Sequence, residues 1–179
     1  MSLCRVLIKG ATMVGRPVDM AASVVNGTLV GELPPNGFIT AFLGILELST
    51  GRLDFVLAGH NPPAVIDGEG RVRFLDTPAC MFLGKFPEAV FEAGTAVLQA
   101  GDTLLLYTDG ITEALDSSGR CFNEDPERLG QLFATTAGML LPHAAGEVMR
   151  AVESHSAGVP QSDDRTLMLI RRLSPGRRA

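Results

Sequence analysis

At 179 residues the chain is long enough for one domain with a sizeable buried core. Its 46% hydrophobic and 20% charged residues are ordinary globular composition, and a net charge of −5 with a pI near 5.2 argues against a nucleic-acid surface. No run of roughly 18 apolar residues is present, so no membrane-spanning helix is expected. The opening Met1-Ser2-Leu3-Cys4-Arg5-Val6-Leu7-Ile8 is too short and too quickly interrupted for a signal peptide. Three widely spaced cysteines, Cys4, Cys80 and Cys121, make neither a zinc pairing nor a disulfide framework, which points to a reducing cytoplasm. The basic cluster at the end, Arg171-Arg172 and Arg177-Arg178, reads as a solvated tail over 174–179.

In chain order, Val6 to Val14 is mostly apolar and reads as helical. A clearer helix begins near Pro17, with Val18, Ala21, Ala22, Val25 and Leu29 on one face. Asn26 lies inside that pattern and is expected to be solvated or locally bonded. Pro34-Pro35-Asn36-Gly37 is a turn. Phe38 to Leu48, long and apolar, reads as a central strand, and after Ser49-Thr50-Gly51 the stretch Arg52 to Ala58 completes a hairpin. Gly59-His60-Asn61-Pro62-Pro63 is a rigid corner. A second hairpin follows, from Ala64 to Leu75 around Asp67-Gly68-Glu69-Gly70, with one face wet. Ala89 to Leu98 is strand-like. Helices are expected from Pro126, with Leu129, Leu132, Phe133 and Thr136 inward, and from Pro142, with Ala145, Val148, Met149 and Val152 inward. Arg165 to Leu173 is the last strand. Strands gather in runs and helices gather in runs, so the class is α+β with largely antiparallel pairing.

The stretch with most chemistry is Leu104 to Gly110. Leu104-Leu105-Leu106-Tyr107 reads as a buried strand that stops at Thr108-Asp109-Gly110, where a carboxylate stands at the strand's mouth and a glycine lets the backbone turn. A second acidic pair, Asp163-Asp164, precedes the apolar Leu167-Met168-Leu169-Ile170. Each pair alone reads as a turn or a polar strand cap. Together they suit one hard cation, because Mg²⁺ and Mn²⁺ prefer carboxylate and water oxygens.

Taken in order, Phe38-Ile39-Thr40-Ala41, Ala58-Gly59-His60-Asn61-Pro62-Pro63, Gly101-Asp102, Tyr107-Thr108-Asp109-Gly110-Ile111-Thr112-Glu113-Ala114 and Asp163-Asp164-Arg165-Thr166 resemble the metal-dependent, type 2C protein phosphatases in their bacterial SpoIIE-type branch. The resemblance runs from about Pro17 to Ile170. It implies an α-β-β-α sandwich of two stacked, largely antiparallel sheets flanked by helices, with residues 1–173 as one phosphatase-like domain. It further implies two Mn²⁺ or Mg²⁺ ions and hydrolysis of phosphoserine or phosphothreonine by water that the two ions activate. Asp109 and Asp163 match metal ligands and carry the catalysis; Gly110 and Asp164 support them. Glu113 reads as a helix-surface or neighbouring carboxylate, and His60 as part of the structural corner rather than a general acid.

The branch also implies a phosphorylated regulator of anti-anti-sigma type as substrate and an upstream sensor or receiver domain. One departure matters: nothing before Pro17 matches the family's opening acidic strand or its bridging Asp-Gly segment. The chain therefore reads as the C-terminal three-quarters of a catalytic domain, missing its N-terminal strands, inactive alone and prone to self-association through uncovered edges. The rival readings are a non-catalytic binding module that keeps the fold, and an unrelated α+β domain with chance acidic turns.

Overall fold

The computed structural model describes residues 15–77 and 81–173, with only the backbone of Pro126. The expected helix over Val6 to Val14, the residues Cys4 and Cys80, and the 174–179 tail lie outside the described residues. The described residues form seven strands in two antiparallel sheets together with four helices, the α+β class expected from the sequence. The chain divides into two compact units, Met1–His60 with Asp76–Val97, and Asn61–Leu75 with Leu98–Ala179. No helix among the described residues is long and apolar enough to cross a membrane.

In the first unit, helix α1 (Val18–Glu32) starts directly after Pro17. Val18, Ala22, Val25 and Leu29 bury their stripe against Leu43, Val56, Ala58, Leu83 and Phe91. Removing such a side chain from water is worth about 1.5–3 kcal/mol each, which outweighs the helix's modest intrinsic preference. Strands β1 (Ala41–Leu46), β2 (Arg52–Ala58) and, later in the chain, a short strand over Gly94–Val97 pair in the order β1, β2, Gly94–Val97.

Two expectations are corrected here. Among the described residues the apolar run Phe38 to Leu48 is not a central strand: β1 pairs with β2 alone and lies at the edge of that sheet, while Phe38 and Leu48 are 52% and 78% exposed. The central place goes to β2, which buries Leu53, Phe55, Val56, Leu57 and Ala58. Hydrophobicity reports burial and not the number of strand neighbours, so the two cannot be told apart from the run itself. Asn26 is likewise neither solvated nor locally bonded. It is 2% exposed; its amide donates to the Phe86 carbonyl at 2.9 Å, and its Oδ1 accepts the Gly84 amide at 2.8 Å. The loop at 84–86 presents one backbone donor and one acceptor to the helix, and an asparagine side chain answers both.

The second unit holds β3 (Ala64–Ile66) and β4 (Val72–Phe74), the hairpin expected around Asp67. The Gly94–Val97 strand of the first unit is β5 in chain order, and β6 (Thr103–Tyr107) follows it. Helices α2 (Asp109–Thr112), α3 (Pro126–Thr135) and α4 (Leu141–His155) precede the final strand β7 (Leu167–Arg171). The sheet order is β4-β3-β6-β7, so β6 is central and buries Thr103, Leu104, Leu105 and Tyr107. On one face Ile66, Leu105 and Tyr107 meet Phe133 of α3 and Val148 and Val152 of α4. The Tyr107 and Phe133 rings lie 5.4 Å apart, and burial pushes the Tyr107 hydroxyl up to about 12. Asp125 caps α3 by accepting the Glu127 amide at 3.0 Å.

Candidate functional site

The central strand β6 carries the chain to Tyr107, and Thr108 continues it in extended conformation at φ −90°, ψ 164°. The single turn of α2 starts at once, held down by Ile111, which is fully buried. Asp109 is thereby presented, exposed, at the first position of α2. Its carbonyl accepts the Glu113 amide at 2.7 Å and the Thr112 hydroxyl at 3.2 Å, which fixes its backbone.

The loop before β7 brings Asp163-Asp164 to the same place. A Cβ built on Gly110 would stand 2.8 Å from the carbonyl carbon of Asp164 and 3.2 Å from the carbonyl oxygen of Asp163, and would press on the Asp164 carbonyl oxygen itself. The reason for glycine at this position is therefore close backbone approach, not the turn that the sequence suggests, since Gly110 sits inside α2. The Thr108 hydroxyl donates to the Asp164 carbonyl at 3.0 Å, and the Gln161 amide donates to the Asp163 carbonyl at 2.7 Å. The structure thus brings together Asp109, Gly110, Asp163 and Asp164 from segments more than 50 residues apart. The sequence shows Thr108 and Thr166 only as members of motifs and gives no sign of Gln161; a threonine at a strand end does not announce a bond to a distant loop.

The carboxylates of this cluster are open. Oδ1 of Asp109 accepts the Gly110 amide at 3.0 Å, and Oδ1 of Asp163 accepts the Asp164 amide at 2.7 Å. Among the described residues, no arginine, lysine or histidine forms an ion pair with Asp109, Asp163 or Asp164. Arg165, next in sequence, turns its guanidinium to the Ser156 hydroxyl at 2.9 Å instead. Two exposed carboxylates without a protein cation and a crowd of carbonyl oxygens suit a hard divalent ion, so the donor chemistry fits. The set is incomplete: among the described residues no group of three or more His, Cys, Asp and Glu could hold a metal ion.

The other residues weighed in the sequence fall elsewhere. Glu113 is exposed just after α2. His60 stands 6.4 Å from the Phe42 ring, at the corner that opens with Gly59 at φ +67°. Cys121 is half-buried beside a cavity of about 410 Å³. Both of that cavity's arginines are already engaged, Arg120 with Asp116 at 3.0 Å and Arg128 with His155 at 3.0 Å and over the Phe122 ring at 4.1 Å.

Residues 1–173 match the family described as Stage II sporulation protein E (SpoIIE). Among curated proteins, the Protein IcfG of Synechocystis sp. (strain ATCC 27184 / PCC 6803 / Kazusa) is 29% identical over 139 residues, 75% of this chain. The chain spans 21% of that relative's length. Among solved structures, the SiaA-PP2C domain of Pseudomonas aeruginosa superposes with a TM-score of 0.81 at 21% identity, over 95% of this chain and 68% of that one. The phosphatase domain of the cell fate determinant SpoIIE from Bacillus subtilis, presoaked with Mn, gives 0.67 at 21% identity, over 94% and 71%. At these identities the superpositions speak for the fold.

Proposed function

Because the chain belongs to the Stage II sporulation protein E family, we propose that it is a protein serine/threonine phosphatase that hydrolyses phosphoserine or phosphothreonine on a regulatory protein of anti-anti-sigma type. The observation that carries this reading is the convergence of Asp109-Gly110 on Asp163-Asp164 with their carboxylates unpaired. Asp54, Asp67 and Asp116 are each engaged by an arginine; these are not. Asp109 and Asp163 are the residues that would hold Mn²⁺ or Mg²⁺, each with one carboxylate oxygen that carries no bond within the described residues. When bound, such a pair of ions supplies an activated water and neutralises the phosphate oxygens.

The chain's own contribution is positional. Gly110 lets the Asp164 backbone approach α2, the Gln161 amide holds the Asp163 carbonyl, and buried Ile111 stops α2 from rolling. No side-chain nucleophile is assigned, and His60 remains a corner residue. Two ions would need further ligands beyond Asp109 and Asp163. An upstream sensor or receiver domain and a cytoplasmic setting complete the proposal.

One observation favours the second reading, a non-catalytic module with the phosphatase fold: the described residues hold no group of three potential ligands. The deciding experiment uses the full-length protein with a phosphoserine peptide, Mn²⁺ added or chelated. Phosphate release that appears with Mn²⁺ and stops with chelator is expected. No release under either condition, with the fold intact by circular dichroism, leaves the binding-module reading standing.

A further inference from the structure

Thr108 occupies the N-cap position of α2, yet its hydroxyl makes no bond to that helix. A capping threonine ordinarily bonds an amide two or three residues on. Here the hydroxyl reaches across to the other strand. It donates to the Asp164 carbonyl at 3.0 Å and accepts the Thr166 amide at 2.9 Å.

The strand register explains why. β6 and β7 pair Tyr107 with Leu167, so Thr108 stands opposite Thr166. The Thr108 amide bonds the Thr166 carbonyl at 3.1 Å, as the next rung of an antiparallel ladder requires. The return bond of that rung would run from the Thr166 amide to the Thr108 carbonyl. That carbonyl is engaged elsewhere: it accepts the Ile111 amide at 3.0 Å and opens α2. The hydroxyl takes the carbonyl's place. β6 can then turn into helix at this residue without releasing the chain that leads into β7.

We propose that Thr108 is a positioning residue that fixes the Asp163-Asp164 segment against Asp109 and so sets the geometry of the divalent-cation site. The proposal rests on the phosphatase reading for the role of the cation. Thr108 acts through the Asp164 carbonyl, which presses from the other side on the space left open at Gly110. Valine has threonine's shape without the hydroxyl, and serine has the hydroxyl without the methyl group, so the pair separates bonding from packing.

The test compares Thr108→Val and Thr108→Ser with the parent, each checked for folding by circular dichroism. Amide hydrogen exchange at Thr166 reads the rung, and Mn²⁺ titration followed by nuclear-resonance broadening at Asp109 and Asp163 reads the site. Thr108→Val is expected to speed Thr166 exchange and to raise the half-saturating Mn²⁺ concentration by about 10–100-fold, the usual consequence of losing a group that orients a ligand. Thr108→Ser should restore both. Faster Thr166 exchange with a parental Mn²⁺ response would overturn the proposal, because the hydroxyl would then be a ladder bond alone. Unchanged exchange would overturn it too. If Thr108→Val does not fold, Thr108→Ala takes its place with the same expected outcomes. A parent that shows no broadening at Asp109 or Asp163 removes the phosphatase reading itself and this proposal with it, whereas a responsive parent beside an equally responsive Thr108→Val removes only the role of Thr108.

Discussion

Asp67 and Asp116 differ from Asp109 and Asp163 in how completely their carboxylates are engaged, and the difference separates turn chemistry from site chemistry. Asp67 and Asp116 open two turns of the same build, Asp67 to Arg71 and Asp116 to Arg120. In each, Oδ1 accepts the amides two and four residues on, at 2.9 and 2.9 Å for Asp67 and 2.8 and 3.0 Å for Asp116. Oδ2 accepts the Nε of the arginine four residues on, at 2.6 and 3.1 Å. The glycines just before those arginines, Gly70 and Gly119, have φ +83° and +81°, which a side chain would resist. These carboxylates are saturated by their own turns. Asp109 and Asp163 each accept one neighbouring amide and meet no arginine. In both turns the aspartate has glycine three and arginine four places later, whereas neither Asp109 nor Asp163 has an arginine four places on.

The largest expected effect tests that distinction by catalysis. In the full-length protein, Asp109→Asn or Asp163→Asn should lower the Mn²⁺-dependent rate by two or more orders of magnitude, roughly what loss of a metal ligand in a hydrolytic centre entails. Asp67→Asn and Asp116→Asn should leave it at the parental level. Initial rates against Mn²⁺ concentration for the four variants check this. Equal losses in all four would erase the difference between the two kinds of aspartate, and parental rates for folded Asp109→Asn and Asp163→Asn would remove the phosphatase reading.

A middle-sized effect is expected at Gly110. Alanine favours helix over glycine by up to about 1 kcal/mol, which would stabilise α2. Against that stands the Asp164 backbone, with its carbonyl carbon 2.8 Å from the new Cβ. Backbone cannot swing aside as a side-chain tip can, and such overpacking typically destabilises by about 1–3 kcal/mol. The clash should win, so Gly110→Ala should lower the urea midpoint and weaken Mn²⁺ binding together. A variant as stable as the parent would show that the two acidic segments are less closely held than the geometry states.

Much of this was legible in the sequence, and the gaps have physical causes. The stripe of α1, both hairpins and buried β6 follow from periodicity and turn residues. Asn26 was misjudged because its partners, Gly84 and Phe86, come from a loop some 60 positions on. β1 was misjudged because an edge strand with one face packed on a helix is as apolar as a central one. The cause of Gly110 and the role of Thr108 are not legible in the sequence, for one reason. Both answer to a backbone 50 residues away, and local pattern does not encode contact at that distance.

The smallest effect concerns acid. The Ser118 hydroxyl, with the Arg120 amide and guanidinium, holds the Asp116 carboxyl well below the usual carboxylate range; Arg71 does the same, more mildly, for Asp67. A carboxyl depressed in the folded state stabilises it fully above the unfolded value of 3.8. As pH falls below that value the unfolded chain takes up the proton first, so stability declines until the folded carboxyls protonate in turn. Both carboxylates are half-buried but pair with exposed arginines, where water still competes, so the contribution is small. Urea midpoints at neutral pH and at about pH 3 should therefore differ less in Asp116→Asn than in the parent, with Asp67→Asn between them. Parallel pH dependence in all three proteins would mean that these turn bonds hold as well with a protonated carboxyl, and the saturation that sets Asp67 and Asp116 apart from Asp109 and Asp163 would then be geometric without being energetic.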